Sequence, residues 1–177
     1  MRFFGVLALA SLFVSGFAST VADVEADISI IADRLTTLDN SITAFPSTGG
    51  TLAQALTIHS NSQNAITALN QGTTDAQNVA PLPISEADSR SILTAFETLE
   101  PIIEHILGGL ITKKPAFDAL LGGITGLVTQ DLRNLDASFT AFENAICAGM
   151  PADLVGECEA VKGRIDAAFA AANAAYP

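Results

Sequence analysis

The sequence predicts an all-α fold, an antiparallel bundle of about five amphipathic helices with one disulfide-stapled helical hairpin. Three observations carry this. Apolar residues recur at spacings of three and four along most of the chain, Pro and Gly breaks divide the runs into helix-sized pieces, and the two cysteines flank one such break. The apolar share is 49% and the formal net charge -11, from 8 Lys and Arg against 19 Asp and Glu. After the N-terminus no run of about 20 apolar residues occurs, so no transmembrane span is expected in the mature chain. A strongly acidic surface repels phosphate backbones and anionic headgroups, which excludes nucleic acid as a partner. Charged residues make up only 15% of the chain, which argues against disorder.

Residues 1–18 read as a secretory signal peptide. Arg2 supplies the positive start, Phe3 to Val14 the apolar stretch, and Gly16-Phe17-Ala18 a small-x-small cleavage site. The expectation is a secreted chain in which residues 19–177 form a single helical-bundle domain. No hydrophobic tail follows a small-residue site at the other end, so no lipid anchor is expected.

The first helix is marked by Val21, Val24, Ile28, Ile31, Leu35, Leu38, Ile42 and Phe45, and Pro46 with Gly49-Gly50 ends it. A second helix is expected from about Thr51 to Gln71, with Leu52, Leu56, His59, Gln63, Ile66 and Leu69 near one line. Gly72 to Pro83 reads as a connection carrying at most a turn or two of helix. Ser85 caps the third helix, with Glu86 and Asp88 in its first turn, and Ile92, Phe96, Leu99, Ile103, Ile106 and Leu110 form its stripe. Pro101 lies inside that run and is expected to kink it. The fourth run, about Pro115 to Ala148, carries Phe117, Leu121, Ile124, Val128, Leu132, Leu135, Phe139, Phe142 and Ile146. The step from Val128 to Leu132 breaks its three-four alternation, so it is one bent helix or two shorter ones. The last helix, about Ala152 to Ala175, uses Leu154, Cys158, Val161, Ile165, Phe169 and Ala172.

In an oxidising compartment Cys147 and Cys158 have only each other within the chain, and Gly149, Met150 and Pro151 between them allow a tight reversal. A disulfide stapling a helical hairpin is the expectation. A free thiol and an intermolecular bridge are the alternatives.

Catalytic motifs are lacking. The sequence has no Gly-x-Ser-x-Gly elbow, no glycine-rich phosphate loop and no His-Glu-x-x-His, and its two histidines, His59 and His105, lie outside any metal-ligand spacing. No enzyme activity, metal or other cofactor is expected. The informative departures are polar residues on apolar stripes. His59 and Gln63 sit one turn apart where a bundle core wants Leu or Ile. Either they are satisfied by backbone or water at a bundle edge, or an imidazole and an amide wall an apolar cavity and receive the carboxyl end of a lipid. Gly108, Gly109, Gly122, Gly123 and Gly126 either pack helices closely or leave room for a ligand chain.

The Val24-x-x-x-Ile28-x-x-Ile31-x-x-x-Leu35 helix, the recurring Thr-Ala-Phe and the late Cys147 and Cys158 pair give a chain that resembles the fungal hydrophobic surface-binding protein A family, also described as the cell wall galactomannoprotein family. The resemblance implies a non-catalytic bundle, secreted or loosely associated with the cell wall, that binds hydrophobic surfaces or fatty-acid-like lipids, with a secreted polyester-degrading esterase as a further partner. A structural wall protein with a dry core is the bland alternative. For a lipid site the expected apolar lining is Ile31, Leu35, Leu56, Phe96, Ile103, Ile124 and Val128, with His59 and Gln63 as polar partners of the head group.

Overall fold

The computed structural model describes residues 18–120 and 122–177. The expected signal peptide, apart from Ala18, and Leu121 of the fourth stripe lie outside the described residues. Six helices follow in order among those described: α1 (Val21–Ala44), α2 (Leu52–Asn78), α3 (Glu86–Glu97), α4 (Leu99–Asp118), α5 (Ile124–Gly149) and α6 (Val155–Ala175). Short connections turn consecutive long helices back on one another. The most extensive interfaces are α1 with α2 and α2 with α5, followed by α1 with α4, and α6 against both α4 and α5. The predicted bundle class holds.

Local signals place the helix starts. Thr20 caps α1 by accepting from the Asp23 backbone N–H, while the Asp23 carboxylate accepts from the Thr20 N–H. Thr51 and Gln54 build the same reciprocal box at α2. Ser85 caps α3 as its sequence position indicated. Three boundaries differ from the sequence reading. The third predicted helix is two, α3 and α4, broken at Thr98. Pro101 has no N–H to offer the Glu97 carbonyl and its ring crowds the preceding turn, so the chain stops one helix and starts another. Pro115 is carried inside the last turn of α4 and does not begin a new helix. The fourth run therefore starts later, at Ile124, after a turn in which Gly122 and Gly123 have φ values of 92° and 76°. That left-handed backbone region suits glycine because other residues clash there through Cβ.

The second helix runs about two turns further than predicted, to Asn78. Thr73, Thr74 and Asn78, which read as loop residues, donate to the carbonyls of Leu69, Asn70 and Thr74 four residues back, so their polar groups are satisfied without leaving the helix.

The apolar stripes meet in one continuous core that includes Val24, Ile31, Leu35, Phe45, Phe96, Ile103, Phe117, Phe139, Phe142 and Phe169. Phe45 stacks on Phe117 with ring centres 4.4 Å apart, and Phe96 meets Phe142 edge to face at 6.2 Å. Cys147 and Cys158 are joined in a disulfide that closes the α5–α6 hairpin. Tyr176 is buried beside α4 and its hydroxyl donates to the Leu110 carbonyl at 2.8 Å. No helix among the described residues is long and apolar enough to cross a membrane.

α2 is the exception to the large-residue core. Its buried positions are Ala55, Ile58, Ser62, Ala65, Ala68, Leu69, Gly72 and Ala76, so only Ile58 and Leu69 contribute large side chains. Since apolar burial contributes about 0.8 kcal/mol per CH2, the Ala, Ser and Gly side chains of α2 themselves contribute less than the Leu, Ile and Phe faces of α1 and α5 that close against them.

Candidate functional site

Between α1, α2, α4 and α5 lies a cavity of about 20 Å³. Leu38 and Ile42 of α1, Ile58 and Ser62 of α2, Leu110 of α4, and Val128, Asp131, Leu132 and Leu135 of α5 line it. That volume holds about one water-sized sphere. Its wall is apolar except at one corner, where α2 and α5 meet.

At that corner three polar side chains converge. His59 Nδ1 lies 2.8 Å from Asp131 Oδ2 and 2.9 Å from Oδ1, and Gln63 Nε2 donates to Oδ1 at 3.0 Å. Helical spacing explains the meeting: His59 and Gln63 are one turn apart on α2, and Asp131 stands three residues after Val128 and four before Leu135, on the apolar stripe of α5. Asp131 is 7% exposed. Burial pushes its carboxyl pKa upward, and the hydrogen bonds from His59 and Gln63 counter part of that push. The ring nitrogen Nδ1 of His59 is engaged by Asp131, so in the neutral ring Nδ1 is the donor and Nε2 is left as an acceptor.

The sequence candidates divide. His59 and Gln63 come together, joined by Asp131. Val128 lines the cavity. Ile31, Leu35, Phe96, Ile103 and Ile124 are buried in the surrounding core. Leu56 corrects the expected lining: it is 46% exposed, and with Leu52 at 51% it forms an outward apolar step on α2. Both lie on the His59–Gln63 line, which faces the edge of the α2–α5 seam and reaches the interior only where Asp131 comes to meet it.

The glycines divide as well. A Cβ on Gly109 would come within 2.9 Å of Ile42, so this residue lets α4 approach α1 closely, whereas Gly108, Gly122, Gly123 and Gly126 face open space. His105 pairs with Asp39 at 2.6 Å and forms no cluster with Glu100 or Glu104. Among the described residues no group of three His, Cys, Asp or Glu side chains could hold a metal ion.

A helical bundle with an apolar centre, one wall of small side chains and a polar corner at the edge of that wall defines a binding domain for apolar matter. The chain belongs to the family of hydrophobic surface binding protein A, whose sequence model matches residues 21–148. It is similar to the crystal structure of Afmp4p in complex with palmitic acid, at 30% identity and a TM-score of 0.81, covering 89% of this chain and 99% of that one. The fold also matches ligand binding domain 1 of the Penicillium marneffei MP1 protein complexed with arachidonic acids, at 18% identity and a TM-score of 0.78, over 89% of this chain and 99% of that chain. Domain 2 of the same protein, complexed with multiple arachidonic acids, matches at 18% identity and a TM-score of 0.77, over 88% of this chain and 95% of that chain. Among curated proteins none matches significantly.

Proposed function

We propose that this is a secreted, non-catalytic protein that takes a long-chain fatty acid into its core by parting α2 from α5. The observation that carries the reading is the pairing of a helix whose buried side chains are mostly small with a polar corner beside an apolar cavity. Sites that enclose small ligands measure about 300–1,000 Å³, so a cavity of about 20 Å³ has to be enlarged by helix movement before an acyl chain fits. α2 is the wall that moves outward without withdrawing many large side chains from its neighbours, because most of its buried side chains are Ala, Ser or Gly. Away from the Asp131 corner the displaced surface is apolar, and each CH2 of the acyl chain that leaves water for it contributes about 0.8 kcal/mol. The palmitic acid complex of a family member at 30% identity supports this choice of ligand. His59 and Gln63 receive the head group at the α2–α5 corner.

The test is a thermal melt of delipidated protein with and without palmitate. A ligand that prefers the folded state raises the midpoint by mass action. The expected result is a rise that saturates with concentration and vanishes for a short-chain acid, and an unchanged midpoint with no lipid retained would overturn the reading.

A second reading has its own observation. Leu52 and Leu56, one turn apart and about half exposed, offer an apolar step for adsorption to wax or polyester. In that role the acidic exterior faces outward, where a secreted esterase would be recruited.

A further inference from the structure

Resting on the reading that a head group sits at the α2–α5 corner, we propose that Asp131 is the specificity-determining residue of the site: its buried carboxyl group occupies the donors an incoming carboxylate needs, so a fatty acid binds together with one proton and a neutral lipid of equal length binds without one.

The geometry makes Asp131 an internal competitor. Two nitrogen donors stand at the seam edge, His59 Nδ1 and the Gln63 amide, and both are held at 2.8–3.0 Å by Asp131, the one of the three that lines the cavity. Facing Asp131 from α2 are these two and Ser62, which shares the cavity wall with it. From α1 and α4 the cavity wall is Leu38, Ile42 and Leu110, all apolar, so no further cation balances a second negative charge there. A ligand carboxylate within reach of the same donors would stand beside the Asp131 carboxylate, which is itself 7% exposed. Two carboxyl groups in such contact share a proton because they cannot both ionise. Burial already favours the protonated form of Asp131, so this residue is poised to accept that proton while His59 and Gln63 are transferred to the ligand. The proton comes from solvent and no covalent bond changes. A long-chain alcohol brings no charge, donates its hydroxyl to Asp131 and leaves the protonation of the corner as it was.

The proton count is measurable on the unmodified protein. Palmitate and hexadecanol are titrated calorimetrically into the delipidated full chain in two buffers of different ionisation enthalpy. The expected result is uptake of close to one proton per palmitate and close to none per hexadecanol, with palmitate affinity falling by up to about tenfold per pH unit through the titration of the pair. In Asp131→Asn the palmitate proton uptake is lost and its affinity at about pH 8 rises at least several-fold. The variant's melting profile checks its fold, and the wild-type proton count stands whether or not the variant folds. Equal proton uptake for both ligands, or none for either, would overturn the proposal while leaving lipid binding intact. An unchanged pH slope for palmitate in a folded Asp131→Asn would assign the proton to His59 and overturn it too. If neither lipid binds, the proposed function fails first and takes this inference with it.

Discussion

A Cβ placed on Gly72 of α2 would stand 2.9 Å from Cε2 of the Phe142 ring on α5. Phe142 is fully buried and held edge to face by Phe96, so the ring has nowhere to go. α2 approaches α5 this closely because it has no side chain at the crossing. Gly72→Ala is expected to lower stability despite alanine's better helix propensity of about 1 kcal/mol, since overpacking costs about 1–3 kcal/mol. Gly163 is the control: it lies in α6 facing open space. Gly163→Ala should raise the thermal midpoint by a few degrees, about 1 kcal/mol. Paired melts of the two variants check both signs.

Glu143 on α5 gives the bundle a pH dependence. It is fully buried, and neither of its side-chain oxygens finds a hydrogen-bond donor. Burial and the neighbouring Asp166 carboxylate on α6, with Asp136 on α5 adding to them and Lys162 on α6 opposing, push its pKa to about 8 from an ordinary 4.5. The folded state thus holds a proton that the unfolded chain releases. The resulting stability is complete below the unfolded value of 4.5 and is lost as pH rises through about 8. Thermal midpoints of wild type should fall across that window, and Glu143→Gln should lose most of the fall between about pH 4.5 and pH 8. Parallel profiles for the two proteins would contradict the burial of a protonated acid.

The disulfide closes a segment of 11 residues of sequence separation. Constraining a loop of that size in the unfolded chain is worth about 2–4 kcal/mol. Replacing both Cys147 and Cys158 by Ala should therefore lower the denaturant midpoint, while the α2–α5 corner, at a distance along α5, keeps its lipid affinity. Urea melts and a palmitate titration on the same variant separate these effects.

Leu52 and Leu56 distinguish adsorption from uptake. Replacing both by Ser removes apolar surface from solvent contact and fills no part of the core, so stability should change by less than about 0.5 kcal/mol. Adsorption to polyester beads should weaken, with palmitate binding unchanged. Loss of both activities together would mean that the exposed step is part of the lipid site.

Much of the bundle is legible in the sequence because helix periodicity and capping are local. The stripe from Val24 to Ile42, the Ser85 cap and the Cys147–Cys158 hairpin each depend on residues a few positions apart. What escaped the sequence depends on groups that meet only in the fold. Thr73, Thr74 and Asn78 read as a loop because a single sequence cannot show that their side chains bond back to helix carbonyls. Thr98 ends α3 through the effect of a proline three residues later. Asp131 was hidden among 19 acidic residues, although its place between Val128 and Leu135 on an apolar stripe was a usable signal. Leu56 shares a line with His59 and Gln63, and that line runs along the seam's edge, which periodicity alone does not distinguish from the interior.

The central claim is that an acyl chain enters between α2 and α5 and rests in the core. It is tested most directly by intermolecular NOEs between the methylenes of bound palmitate and assigned methyl groups of the protein. Contacts are expected to Ile42, Ile58, Val128 and Leu135, which line the cavity and are buried in the closed bundle. Contacts confined to the exposed methyls of Leu52, Leu56 and Ile111 would contradict it.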